Sequence, residues 1–209
     1  MARHPLVLSA HPSAWIADSG LGGRMAAQAA VTCQFCGQPT AGWQVPYHLN
    51  DDHDDESPAN LAVSCPLCHL PQHLNRPTVD DEAILIWLPE MAQAALIVLA
   101  RQIHLACAAA GLSPTIYGDM ARTAPTISAA YRAYRALYER SAMAELRLGT
   151  QSPRQLGAAL RELTPPDYER RAALLGGVRM LPLGRFFEGA VDIYPTMLRD
   201  WGAPAAPSS

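Results

Sequence analysis

Two Cys-x-x-Cys pairs, Cys33/Cys36 and Cys65/Cys68, constrain what this chain can fold into more than any other feature. Tetrahedral zinc needs four ligands converging on one point, at about 2.3 Å for sulfur, and two such knuckles supply four thiolates in that arrangement. Gly37 follows the first pair and permits the tight turn of a knuckle. Pro66 follows Cys65, as expected where the second pair opens a helix, and a helix N-terminus favours thiolate over thiol. A redox-active pair and structural disulfides are the competing readings, and two matched pairs in a chain expected to be cytoplasmic weaken both. The spacing therefore predicts a structural Zn²⁺ held by Cys33, Cys36, Cys65 and Cys68. Cys107, inside an apolar segment, is expected to be an inert buried thiol.

With 209 residues, 49% of them hydrophobic, the chain is long enough for one domain with a sizeable core, or one domain and a small module. Its charge is uneven. Residues 1–100 carry three arginines (Arg3, Arg24 and Arg76) against ten acids, whereas residues 101–209 carry thirteen arginines against nine acids. Nucleic-acid binders draw their affinity from neutralised phosphates, so an acidic half that holds the cysteines argues against nucleic acid as a partner. The apolar run after Arg3 is too short for a signal-peptide core. The most apolar stretch, Ala83–Ala100, is interrupted by Pro89 and Glu90 and reads as a strand and a buried helix rather than a span of about 20 residues. A cytoplasmic protein with no direct membrane insertion is the expectation.

Local signals set the organisation. "PLVLS" near the start and "VRMLPL" near the end read as short strands, and Ile84–Trp87 as a buried one. Pro89 and Glu90 suit the first turn of a helix that stops at Gly111. A second helix is expected over 126–148. Ser152-Pro153-Arg154-Gln155 looks like a capping box opening a third, and Thr164-Pro165 opens a fourth that ends at Gly176-Gly177. The tail 202–209, "GAPAAPSS" in full, is expected to be disordered.

Between the cysteine pairs lies "VPYHLNDDHDDESPANLAVS". Cys-x-x-Cys, a histidine-bearing strand, "SPANL" and Cys-x-x-Cys-His together resemble the zinc-bearing HNH nucleases, whose ββα unit is of the treble-clef type. The resemblance implies that His48 matches the general base, Asn60 the asparagine that orients it, and His69 or His73 the helix ligand of a catalytic Mg²⁺ or Mn²⁺. Tyr47 stands where the family places another metal ligand, and a neutral phenol is a poor ligand for Mg²⁺. Asp51, Asp52, Asp54 and Asp55 offer carboxylates nearby, but a run of like charge is usually a solvated loop, and it repels a phosphodiester. His53 could join such carboxylates at a metal, but within that run it is expected at the surface. Asn60 has a role without catalysis, since an asparagine side chain can tie a turn to its own backbone. His48 can likewise serve as packing beside the knuckle. His4, His11 and His104 belong to no motif.

In the second half, Ile127, Tyr131, Tyr134 and Tyr138 recur at helical spacing, with Arg132, Arg135 and Arg140 between and beyond them. Such a stripe either edges the core with its hydroxyls in water, or presents a protein interface, or stacks bases. The opening "RHPLVLSAHPSAW", the cysteine module, "AILIWLPEMAQ" and the closing "RMLPLGRFFEGAVDIYP" are similar in order and spacing to the IcmJ/DotN family, components of type IVB secretion systems. That resemblance implies an HNH-like zinc module without established enzymatic purpose, joined to a helical part. It also implies recruitment to the inner membrane through a partner, the cytoplasmic part of a type IV coupling ATPase with its associated adaptors.

The expected fold is α+β, a small HNH-like treble-clef (ββα) zinc module packed on a mainly helical body. Residues 1–88 would contain the zinc module, at about 31–74, and residues 89–201 the helical body. The expected function is that of a non-enzymatic, zinc-stabilised scaffold or adaptor in a type IV secretion coupling complex, binding the coupling ATPase and helping to recruit substrates. The alternative is an HNH endonuclease using His48, Asn60 and His69 or His73, and a redox Cys-x-x-Cys protein is a third class.

Overall fold

The computed structural model describes residues 4–10, 32–113 and 125–203. The expected disordered tail lies outside them from residue 204 onward. In the described residues helices alternate with three small antiparallel sheets, a mixed α and β architecture.

The first cysteine pair sits in a tight turn. Gly37 adopts φ +70° and donates its backbone N–H to Cys33 at 2.8 Å, and Cys33 N–H returns to Gln38 at 2.9 Å. Strands β1 (Val45–His48) and β2 (Leu61–Ser64) follow as an antiparallel pair, with Val45 opposite Ser64 and His48 opposite Leu61. Cys65 then caps α1 (Pro66–His69), as Pro66 at its first position predicts, and a 3₁₀ turn continues to Gln72. A short helix, α2 (Val79–Glu82), leads to β3 (Ala83–Trp87).

The expected strand "VRMLPL" is β4 (Val178–Pro182), which pairs with β3 from far along the chain, Leu85 facing Met180. Around this ribbon pack α3 (Gln93–Ala109), α4 (Pro125–Glu139), α5 (Ser141–Leu148) and α6 (Pro153–Arg161). Two short helices, α7 (Pro165–Glu169) and α8 (Arg171–Leu174), precede β4. A small hairpin, β5 (Phe187–Glu188) with β6 (Val191–Asp192), and α9 (Tyr194–Gly202) follow it. Gly177 is required where it stands: a Cβ there would lie 2.2 Å from the Trp87 ring.

Several expectations change. "PLVLS" forms no strand; Ser9 instead exchanges backbone hydrogen bonds with Pro71 and Leu74 at 2.9 and 3.1 Å, docking this segment on the end of the 3₁₀ turn. Pro89 and Glu90 lie in a turn, and α3 starts only at Gln93, whose side-chain amide is engaged with Met180. The helix expected over 126–148 breaks at Arg140, whose carbonyl accepts from Trp87 N at 3.3 Å and whose guanidinium reaches Glu90 at 2.5 Å. The fourth expected helix is the two short pieces α7 and α8. Ser152 does cap α6, its hydroxyl accepting from Gln155 N at 3.1 Å.

One hydrophobic cluster runs from the cysteine module through β3 and α6 to α9, joining Phe35, Leu67, Leu74, Leu85, Leu156 and Met197. The aromatic stripe of α4 faces a second cluster: Tyr131 and Tyr134 are buried, and Tyr134 donates its hydroxyl to Pro182 O at 2.8 Å. Arg132 and Arg135 are exposed and hydrogen bond one turn along, to Ser128 and Glu139. The stripe therefore edges the core, but the Tyr131 and Tyr134 hydroxyls, expected in water, donate to the backbone carbonyls of Ser113 and Pro182.

Candidate metal centre and histidine cluster

Cys33, Cys36, Cys65 and Cys68 come together as the sequence predicts, all of them buried, with their Sγ atoms within 4.8 Å of one another. Cys36 Sγ and Cys65 Sγ are 3.9 Å apart. Two sulfurs that share one tetrahedral ion at about 2.3 Å lie roughly 3.8 Å apart, so this set has the dimensions of a metal site.

Its electrostatics point the same way. Hydrogen bonding from Cys36, and then from Cys65 and Cys68, draws the Cys33 thiol far below its usual range, while burial and the hydrogen bond with Cys33 push Cys68 up. Cys36 is also lowered and Cys65 also raised, so without a cation the cluster favours charge on the first pair at the expense of the second; a divalent ion would hold all four as thiolates. Four thiolates on a divalent ion carry a net double negative charge. Arg101 of α3 answers it from the helical body: it is 2% exposed and lies in the field of Cys65 and Cys36, which oppose the lowering of its pKa by burial. Arg101 donates Nη2 to Pro39 O at 2.9 Å and stacks 4.0 Å from the Trp201 ring. No local pattern marks this arginine, because it meets the knuckle only through the fold.

The nuclease-like residues are also brought together, but into the interior. His48 is 4% exposed at the end of β1, and His69 and His73 meet Nε2 to Nε2 at 3.0 Å. His53, expected at the surface, is 9% exposed and points inward, its ring centre 4.3 Å from that of His48 and 5.0 Å from that of His73. His53, His69 and His73 place one nitrogen each within 4.8 Å of the others. Burial pushes the His69 pKa down to about 3 and holds His73 well below the usual histidine range, so both are neutral imidazoles. Tyr47 fills the position before His48 with an aromatic ring packed at a tilt against Phe35, centroids 4.4 Å apart, and in edge-to-face contact with His69.

The reason His53 turns in is the loop itself. Asp51 adopts φ +65°, is buried, and binds both the Arg171 guanidinium of α8 and Gln72 Nε2, the latter at 2.8 Å. Asp52 and Asp54 accept or donate in successive short turns. The acidic run is therefore not simply a solvated loop: one of its carboxylates anchors it and its histidine enters the core. Asn60 clasps its two ends, accepting from Asn50 N at 2.9 Å and donating to Asp55 O at 2.8 Å. That side chain is occupied with backbone and orients no histidine.

Cys107 is buried in α3, and no helix among the described residues is long and apolar enough to cross a membrane. A scan against protein-family models finds no match to this chain, and a search of curated proteins finds none either.

Proposed function

We propose that the protein is a non-enzymatic, zinc-stabilised adaptor that binds another protein in a type IV secretion coupling complex. One observation carries the non-enzymatic part: the residues matching a nuclease's base, asparagine and metal ligand are sealed inside, with Asn60 committed to its own loop. A phosphodiester cannot approach a base whose ring is covered, and general-base chemistry requires contact within hydrogen-bond reach. The exposed part of the loop, Asp54 and Glu56, is acidic and would repel phosphate. Four thiolates select Zn²⁺ among the common cellular divalent ions, and the order knuckle, β1, β2, α1 supports an HNH-like treble clef kept as scaffold.

The partner follows from the similarity to the IcmJ/DotN family: the cytoplasmic part of a coupling ATPase and the adaptors around it, at the inner face of the membrane. Two assays test this reading. Size-exclusion chromatography of the full chain with the cytoplasmic segment of the coupling ATPase from the same genome is expected to give a stoichiometric complex. Incubation of zinc-replete protein with supercoiled plasmid and Mg²⁺ or Mn²⁺ is expected to give no nicking. Nicking that disappears in His48→Ala would replace the adaptor by an HNH endonuclease.

A further inference from the structure

We infer that His53, His69 and His73 form a second metal site, which takes a first-row transition ion of the Zn²⁺ type through three imidazole nitrogens. The site is distinct from the four-cysteine centre, although both are built from the same short segment. Cys65 and Cys68 at the start of α1 turn toward the knuckle, while His69 and His73 meet each other.

Three features of the geometry carry this. His69 closes α1 and His73 directly follows the 3₁₀ turn, so this short, buried segment brings two imidazoles to a single point. Their Nε2 atoms are 3.0 Å apart, and two nitrogens bound to one tetrahedral zinc at about 2.0–2.1 Å would be roughly 3.3 Å apart, a change of a few tenths of an ångström. His53 supplies the third nitrogen in the tautomer a ligand needs. Its Nδ1 is 3.1 Å from Asp51 O, so Nδ1–H donates to that carbonyl and Nε2 keeps its lone pair for the ion. Asp51 is itself pinned by Arg171 and Gln72, which is the outer support that keeps a ligating imidazole in place.

The donor set decides the metal. Imidazole nitrogens suit Zn²⁺, Co²⁺ and Ni²⁺, whereas Mg²⁺ and Ca²⁺ want oxygen, so this is not the Mg²⁺ centre of a nuclease. The fourth position is open to water or to His48, which lies beside His53 and whose two ring nitrogens make no hydrogen bond among the described residues. Bound there, an ion would tie the acidic loop to the end of α1, a cross-link between two segments that the cysteine site leaves unconnected. The competing account is a plain hydrogen bond between neutral His69 and His73, with His53 packed against them and no ion.

The experiment counts ions on the full chain, and it does not use partner binding, so its result and that of the adaptor reading are separable. Protein loaded with excess Zn²⁺ and desalted is expected to hold two ions per chain by elemental analysis, falling to one in His53→Gln and in His73→Gln. Titration of metal-free, reduced protein with Co²⁺ gives a second readout. The thiolate charge-transfer band of the cysteine site should saturate at the first equivalent in all three proteins. Only the wild type should then add nitrogen-ligand d–d bands with a second equivalent. Wild-type protein that holds a single ion per chain under saturating Zn²⁺ overturns the inference, whatever the variants do. Two ions retained in both variants overturn it equally.

Discussion

His104 shows what one enclosed side chain does to the pH response. It sits in the middle of α3 with no exposure, its Nδ1 2.7 Å from the Tyr194 hydroxyl and its Nε2 without a hydrogen-bond partner among the described residues. A proton on that ring would be a charge in an apolar setting, and burial pushes its pKa from 6.5 down to about 3. In the unfolded chain the ring titrates near its ordinary value. Between pH 6.5 and about 3 the unfolded state therefore binds a proton that the native state refuses. Stability is full above the unfolded pKa and declines as pH falls through this window, with a slope of up to about 1.4 kcal/mol per pH unit from one such group. Urea titrations of the wild type and of His104→Gln across this range are expected to differ in slope, the variant being flatter. Superimposable slopes would mean that the native ring accepts its proton freely. A histidine without motif partners gives no sign of this in the sequence, because the enclosing ring of Tyr194 comes from 90 residues away.

At the scale of elements, the ribbon β3–β4 is only two strands wide, and its outer backbone groups need partners from elsewhere. On the β3 side Leu85 N donates to Gln151 O at 2.9 Å. On the β4 side the amide of Gln93 takes the place of a third strand: Nε2 donates to Met180 O and Oε1 accepts from Met180 N, both at 2.8 Å. This pair of hydrogen bonds holds Gln93, the first residue of α3, against β4. Gln93→Leu fills the same volume but leaves a buried donor and acceptor open, at a cost of about 1–3 kcal/mol for each group that water cannot reach. Chemical denaturation should show a loss of roughly 2 kcal/mol or more, with faster amide exchange at Met180. A variant as stable as the wild type, with Met180 still protected, would assign that edge to other partners.

The same elements mark the limit of what the sequence discloses. The cysteine pairs, the Pro66 helix start, the Ser152 cap and strands β3 and β4 are written in short-range spacing and propensity, and they stand where expected. Gln93, Arg101 and the break at Arg140 are settled by contacts with residues far along the chain. The inward turn of His53 is of the same kind, since it depends on Arg171 gripping Asp51 and a charged heptapeptide gives no local reason to be buried.

For the molecule as a whole, the decisive relation is between the cysteine centre and the helices. The centre is roofed by the helical body rather than merely attached to it. Trp201 of α9 donates Nε1 to Thr40 O at 3.0 Å, and Trp43 beside the knuckle donates Nε1 to Asp200 at 2.9 Å. Arg101 reaches Pro39 from α3, and Phe35, the four cysteines, Leu156 and Met197 belong to one hydrophobic cluster. Metal binding in small sites of this kind supplies folding free energy on the order of 10 kcal/mol, comparable with the total stability of a typical domain, about 5–15 kcal/mol. Losing the ion should then cost the knuckle and the roof together. On adding a chelator, the near-ultraviolet signal of Trp43 and Trp201 and the far-ultraviolet signal of the helices are expected to fall in one coincident transition, restored by Zn²⁺. Cys33→Ser and Cys65→Ser should behave as permanently chelated protein. If the tryptophan signal were lost while the helical signal melted later and separately, the cysteine module would be a satellite on an independently stable helical body. The shared cluster would then be a contact between two folding units instead of one core.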